Sequence, residues 1–346
     1  MKAAVVILNY NGAALLQQFL PSVIANTPSW CSVIVADNAS TDNSLSVMKK
    51  HFPDVRCIEM QQNTGFAGGY NNALQHVDAE YFILLNSDIE VTPQWIEPII
   101  EFMDKHADVA ACQPKILAYH RKEYFEHAGA CGGYIDYLGY PFCRGRIFNS
   151  LEKDENQYSD NKEIFWATGA AMFIRSHVFK SAGGFDTDFF AHMEEIDLCW
   201  RMKHSGHKLY CIPASRVYHV GGGTLHKSNP KKTYLNFRNN LMMLLKNLPS
   251  GNRFSVFTKR MYLDKLAFIK FFISGNFKDA WAVYRAYFYV ILHFKTLKKK
   301  RVEIKNINTN VSCIFEKSIV AEHFFQRKKE VYRIKSRLFF IIILNC

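Results

Sequence analysis

No two of the nine cysteines stand as Cys-x-x-Cys, and their number is odd. Neither a zinc ribbon nor a disulfide framework is therefore expected, and a reducing, cytoplasmic setting is the simpler reading. Long apolar runs are missing too. The run from Ala3 to Leu8 is broken by Asn9-Tyr10-Asn11-Gly12, too soon for a signal-peptide core. The stretches near 266–274 and 280–294 are cut by Lys270, Lys278, Asp279 and Arg285, and the terminal run Leu338 to Leu344 is short against the roughly 20 residues that a spanning helix needs. No transmembrane helix and no export by a cleaved leader are expected. Acidic residues are scarce at one end only. Residues 1–240 hold 22 basic and 25 acidic side chains, whereas 241–346 hold 21 and 6. The pI near 9.2 is thus a property of the tail and points to an anionic partner for it rather than to a basic catalytic surface.

What is present is a core-forming chain of 346 residues, 49% of them hydrophobic, with an α/β rhythm. Ala3–Leu8, Val33–Ala36 and Tyr81–Leu85 are short continuous apolar runs, as in strands buried on both faces of a mainly parallel sheet. Helices are expected over 13–25, over 42–51 behind Ser40 or Thr41, over 67–77, and from Thr92-Pro93, with Thr as cap and Pro in the first turn. Residues 106–165 read as irregular sheet with a mobile loop at 149–163. A strand at 170–174 and a helix at 193–205 closed by Gly206 follow. From 233 the chain turns helical and basic. There is no internal repeat.

Three strands end in polar clusters: Asn9 and Asn11, Asp37-Asn38, and Asn86-Ser87-Asp88. Ligands of open α/β sheets bind outside the carboxyl ends of strands, so these clusters suggest one shared pocket. Asp37 at a buried strand end needs a partner; a pyrimidine N3–H is one and a turn amide is another. The glycines of Asn63-Thr-Gly-Phe-Ala-Gly-Gly-Tyr-Asn71 let backbone approach a ligand at a helix start. The G-x-G-x-x-G spacing and a Walker lysine are both absent, which weakens dinucleotide and P-loop readings. Asp88 is placed to hold a hard divalent cation, and His219 can complete the coordination or remain structural. Glu194, Glu195 and Asp197 open a helix. The helix dipole favours acids there, yet like-charge neighbours also raise a carboxyl pKa toward that of a general base. Arg238-Asn239-Asn240 can meet a diphosphate or cap a helix.

In order along the chain, Val-Ile-Leu-Asn-Tyr-Asn-Gly (6–12), Ala-Asp-Asn-Ala-Ser-Thr-Asp (36–42), Asn-Thr-Gly-Phe-Ala-Gly-Gly-Tyr-Asn (63–71), Leu-Asn-Ser-Asp (85–88), Gly-Gly-Phe-Asp (183–186) and Glu-Glu-Ile-Asp-Leu-Cys-Trp-Arg (194–201) resemble the inverting, metal-dependent glycosyltransferases of family 2, in their rhamnosyltransferase-like branch. The resemblance runs from Val5 to about Asn247. It implies a GT-A fold, α/β with a mainly parallel sheet flanked by helices, for a catalytic domain of residues 1–240, ahead of a basic amphipathic helical region at 241–346. It implies a UDP- or dTDP-linked sugar donor bound by Asn9, Asn11, Asp37, Asn63, Gly65, Asn71, Asn86 and Ser87, with Mg2+ or Mn2+ at Asp88 and His219. Glu195 becomes the base that activates a glycan or lipid-linked acceptor, with Glu194 in reserve. Trp166 and Asp186 fall on the acceptor side. The family's metal motif often has Asp where Asn86 stands, and its catalytic Asp is replaced here by Glu195. For the tail, with Lys298-Lys-Lys-Arg301, an anionic membrane surface is the expected partner and packing on the catalytic domain the alternative. No nucleic-acid module is recognisable. A non-catalytic nucleotide-sugar or nucleic-acid binder is the rival reading.

Overall fold

Alternation along one strand sorts the interior into two layers. In β1 (Ala3–Asn9), Ala4 and Val6 point to one face and Ala3, Val5 and Ile7 to the other, as the two-residue period of a strand requires. The computed structural model describes residues 1–221, 229–303 and 310–331. Gly222 and Gly223 of the glycine run after His219, and the terminal run Leu338 to Leu344, lie outside the described residues.

After β1 come α1 (Ala13–Ala25), β2 (Cys31–Asp37), α2 (Ser44–His51), β3 (Arg56–Glu59), α3 (Gly65–Leu74), β4 (Tyr81–Asn86), β5 (Ile89–Val91), α4 (Glu97–Lys105), β6 (Val109–Ala118) and β7 (Arg121–Phe125). Short strands follow: β8 (Gly133–Asp136), β9 (Pro141–Cys143), β10 (Arg146–Ile147), β11 (Ser150–Leu151) and β12 (Lys162–Ile164). Then come β13 (Ala171–Arg175), α5 (Ser176–Ser181), α6 (Glu194–His204), β14 (Lys208–His219), α7 (Pro230–Asn247), α8 (Arg253–Ile273), α9 (Phe277–Leu292), α10 (Phe294–Glu303) and β15 (Ile314–Phe315). The main sheet has the order β12-β14-β6-β13-β4-β1-β2-β3, with β5 on β14 and β7 on β6, and β8–β11 with β15 form a second sheet. One face of the main sheet is covered by α1, α2 and α4 through Leu16, Val47 and Ile99. The other is covered by α3, α6 and the second sheet through Tyr70, Trp200 and Phe142. This is the expected α/β class in a mixed sheet.

Two local expectations change. The helix expected at Thr92-Pro93 begins at Glu97, with Pro98 in its first turn. Thr92 Oγ1 donates to the Arg216 carbonyl at 2.7 Å instead of capping a helix, and Trp95 is buried completely. The stretch 149–163 is not a loose loop. Buried Lys115 pairs with Asp154 at 2.8 Å, and Glu152 accepts from Tyr158 Oη at 2.9 Å and from the Val331 amide at 2.7 Å. The end of α6 is as expected: Gly206 takes φ 85°, its amide and that of His207 donate to Lys203 and Met202, and the helix closes in a Schellman motif.

The division drawn at residue 240 falls inside α7, whose Leu241–Leu244 are buried. Beyond it, α8 is fixed through Arg260, which donates to the Leu138 carbonyl at 3.2 Å, pairs with Asp264 at 3.2 Å and stacks on Tyr140 at 3.7 Å. No described helix is long and apolar enough to cross a membrane.

Candidate active site

Sheet register does the assembling. Asn9 lies beside Asp37, and Leu8 beside Asn86, across the parallel ladders of β1 with β2 and β4, so three polar strand ends share one edge. Asn9 Nδ2 donates to Asp37 Oδ1 at 3.0 Å and to Ser40 Oγ at 3.2 Å, while Asp37 Oδ2 accepts the Ser40 amide at 2.9 Å. Both side chains are buried, and Asn9 Oδ1 has no hydrogen-bond partner. Asn11, at φ 51°, accepts the Thr41 amide at 2.7 Å. A Cβ on Gly12 would overlap Asn9 Oδ1 and lie 3.6 Å from Ser87 Oγ, so the three belong to one cluster.

The glycine loop closes the next side. Asn63 Oδ1 accepts from Asn38 Nδ2 at 3.1 Å and from the Gly65 amide at 2.9 Å. Gly65 has φ 73°, and a Cβ there would meet the Phe190 ring at 2.6 Å, so glycine is required both for its conformation and for its contact. Asn71 commits both ends of its amide to Phe185, donating to its carbonyl at 2.8 Å and accepting its amide at 2.9 Å. It fixes the loop before α6.

At the β4 end, His219 Nε2 lies 3.1 Å from Asp88 Oδ1, and its Nδ1 lies 3.1 Å from Glu126 Oε2. Asn86 Nδ2 is 3.4 Å from the same Nε2. Burial would lower the His219 pKa, but hydrogen bonds to Asp88 and Glu126 outweigh it and raise it to about 10. Burial would conversely raise that of Glu126, and the His219 contact holds it below the usual range. Glu126, not singled out from the sequence, lies just past β7 with no strand or helix period to mark it. Among the described residues no three His, Cys, Asp or Glu side chains already form a metal cage. The donor chemistry still fits a hard cation. Asp88 supplies a carboxylate oxygen, and Glu126 holds the Nδ1 side of the His219 ring, so Nε2 faces Asp88 and would ligate a cation once binding had displaced its proton. Such cations commonly take only one or two protein ligands, with phosphate oxygens and water supplying the rest.

The acids approach from α6. Buried Glu194 and partly covered Glu195 each keep an unpartnered, inaccessible Oε2. Burial, and then the charge of Glu195, lifts Glu194 well above the ordinary carboxyl range. Burial lifts Glu195 to about 7. A Cβ on Gly169 would lie 3.8 Å from Glu195 Cβ, and the neighbouring Ala170 carbonyl accepts the Asn86 amide at 2.9 Å. One turn of chain therefore connects Glu195 to the strand end that leads into Asp88.

The segment before these acids is conformationally unusual. Phe190, His192 and Met193 have φ of 63°, 70° and 71°, values that non-glycine residues hold only when their surroundings impose them. The restraint is Asn239 of α7, whose Nδ2 donates at 2.7–2.9 Å toward the carbonyls of Phe189, Ala191 and His192. Arg238 donates to the Asp188 and Phe189 carbonyls at 2.8 and 3.1 Å. Of the two open readings for Arg238-Asn239-Asn240, a diphosphate ligand or a cap, neither describes Asn239, which braces a loop. Asp197 is fully buried and receives Lys246 at 3.0 Å, Asn247 at 2.9 Å and Arg201 at 2.9 Å, so it anchors α6 to α7.

Two expected acceptor-side residues have internal partners instead. Trp166 is buried, with Nε1 donating to the Tyr134 carbonyl at 3.0 Å and its ring against Gly133. Asp186 pairs with Lys246 and Lys300, both at 2.6 Å. Burial would raise its pKa, but the lysines, Lys246 foremost, outweigh that and hold it at about 2.

Residues 4–182 match the family model for Glycosyl transferase family 2. The chain is 25% identical over 230 residues to an N-acetylglucosaminyl-diphospho-decaprenol L-rhamnosyltransferase of Mycobacterium tuberculosis, covering 62% of this chain and 75% of that protein. It is 26% identical over 216 residues to the O-antigen biosynthesis protein RfbC of Myxococcus xanthus, covering 59% of this chain and 16% of that much longer protein. Among solved structures, the crystal structure of GalNAc-T7 with UDP, GalNAc and Mn2+ superposes with a TM-score of 0.55 at 17% identity, over 71% of this chain and 48% of that one. At such identity the likeness speaks for the fold alone, and the fold is the GT-A arrangement expected from the motifs.

Proposed function

The chain belongs to glycosyl transferase family 2 as a rhamnosyltransferase-like member, and from that premise we propose that it moves a hexose or deoxyhexose, with rhamnose the leading candidate, from a UDP- or dTDP-linked donor to a hydroxyl of a lipid-linked glycan during surface polysaccharide synthesis. The observation that carries the proposal is the common edge at which Asn9, Asp37 and Asn86 meet the acids of α6 through Gly169 and Ala170.

On this reading Asp37, oriented by Asn9 and Ser40, offers its remaining lone pairs to the N3–H of the donor's pyrimidine. Asn63 and Gly65 shape the loop along which the nucleotide lies, and Asn11 and Ser87 line the same edge. Asp88 and His219 would hold a divalent cation, Mg2+ or Mn2+, which when bound offsets charge on the departing diphosphate as a Lewis acid. Glu126 fixes the imidazole that serves it. Glu195 accepts the proton of the acceptor hydroxyl while that oxygen bonds to the anomeric carbon and the bond to the diphosphate oxygen breaks. A single displacement inverts the anomeric configuration. A carboxyl lifted to about 7 by burial suits the task, because a general base works best with a pKa near the working pH.

The acceptor side is assigned to membrane-bound material. Exposed Phe254, Met261, Tyr262, Phe272 and Ile273 on α8, and Phe277, Trp281, Tyr284, Phe288 and Ile291 on α9, form an apolar surface interleaved with exposed Lys259, Lys265, Lys270, Lys278 and Arg285. Contiguous exposed apolar surface on this scale marks an interaction face. Its basic companions match an anionic bilayer on the cytoplasmic side, each contributing about 1 kcal/mol near the lipid surface.

The test is a panel of nucleotide sugars incubated with purified protein, with and without Mg2+ or Mn2+, reading released nucleoside diphosphate. Cation-dependent release from one donor supports the proposal. No release from any donor, despite tight nucleotide binding, would make the protein a binder instead.

A further inference from the structure

Between α7 and α9 lies a cavity of about 570 Å3, lined by Phe190, Lys231, Tyr234, Arg238, Lys278 and Arg285 among others. Four of these six are cations. Lys231 lies over the Phe190 ring at 5.2 Å, and Arg285 over the Tyr234 ring at 4.7 Å. Among the described residues no carboxylate pairs with Lys231, Lys278 or Arg285. The acid at this helix seam, Asp279, accepts instead from Thr233 Oγ1. Cations held on aromatic faces and left without counter-ions raise the local potential and draw a multivalent anion.

Two further features narrow the anion. Phe190 forms a wall of the cavity, and its other neighbour is the donor loop: its carbonyl accepts the Phe66 amide at 2.8 Å, and its ring blocks a Cβ at Gly65. The chain runs from Phe190 through His192 and Met193 into Glu194 and Glu195, so one wall of the cavity belongs to the segment that leads into the acids. On α9 the cationic positions 278 and 285 lie beside the exposed apolar series Phe277, Trp281, Tyr284 and Phe288, spaced three and four residues apart along one stripe. An anionic head and an apolar tail are thus accommodated side by side.

We infer that this cavity binds the diphosphate of a lipid-linked acceptor, with the lipid lying along the α9 stripe and the sugar reaching Glu195. The inference rests on the lipid-linked acceptor proposed above and adds the site that holds its charged group.

Binding of geranyl diphosphate, inorganic pyrophosphate and UDP is compared in full-length wild-type protein and in the Lys231→Ala/Arg285→Ala variant by calorimetry. Geranyl diphosphate is expected to bind the wild type more tightly than pyrophosphate, to weaken about tenfold or more in the variant, since two charge-assisted contacts are lost, and to weaken with added salt. UDP is expected to bind both proteins equally. Unchanged geranyl diphosphate binding in the variant would overturn the inference. So would an equal loss of UDP affinity, which would make the cavity part of the donor site, or pyrophosphate binding as tightly as the prenyl compound, which would leave the lipid without a role. These readouts need no turnover. Failure of the donor panel would refute the transferase reading separately.

Discussion

At the scale of single residues, the site is a set of buried polar groups held in defined states by their neighbours. Glu194 is the plainest case. Its folded pKa is raised well above the ordinary value, so the native state retains a proton that the unfolded chain releases. Stability from this group is intact below the unfolded pKa and declines as pH rises toward the folded one. Glu194→Gln should therefore raise the melting temperature at pH 8 and leave it nearly unchanged at pH 4; equal shifts at both pH values would show that Glu194 is not held protonated. Asn86-Ser87-Asp88 and the acids of α6 were legible in the sequence because a carboxylate that ends an apolar run, or follows another acid, stands out in one dimension. Glu126 was not legible, because its partner His219 is joined to it only by the long strand β14 lying on β6. The internal partners of Trp166 and Asp186 were hidden for a related reason. Their partners Tyr134, Lys246 and Lys300 come from segments without apolar periodicity or from beyond the matched motifs.

At the scale of elements, helix α7 carries more than its composition indicates. Its buried Asn239 braces three left-handed residues ahead of the acids, which makes it a positioning residue. Asn239→Ala leaves carbonyls without donors, at a cost of about 1–3 kcal/mol, and frees the loop. Turnover is expected to fall about tenfold with donor affinity unchanged. The alkaline-rising limb of the pH–kcat profile, set by Glu195, should move to lower pH as the carboxyl gains water. Loss of stability alone, with an unmoved pH profile, would reduce Asn239 to a packing role. Element edges were the less legible part of the fold. The helix start expected at Thr92-Pro93 lies instead at Glu97-Pro98 because two prolines within six residues give the same local cue, and only the carbonyl of Arg216 decides that Thr92 is not a cap. The second sheet is legible only as irregular sheet within 106–165, because strands of two to four residues are too short to show alternation.

At the scale of the whole molecule, the proposed function puts chemistry and docking on different parts of one chain. The N-terminal part, with a charge of −3, holds the polar strand-end edge proposed to take the donor, and the tail of +15 presents the apolar and basic faces of α8 and α9. Charge partition was visible in sequence; that α7 crosses the boundary at 240 was not, because its buried face is set by α6 and α9. Sedimentation with vesicles should recover the protein on phosphatidylglycerol-containing but not neutral membranes, with binding falling as salt rises. Trp281→Ser/Phe288→Ser should release it; undiminished binding would move the contact elsewhere. The central claim is that Glu195 removes the acceptor proton beside a donor held from Asp88. It is tested most directly by measuring kcat and donor dissociation constant for Glu195→Gln beside Glu194→Gln. The account predicts that Glu195→Gln loses about 10²- to 10⁴-fold in kcat with donor affinity unchanged, while Glu194→Gln keeps most of its turnover. Equal kcat in the two variants would contradict it.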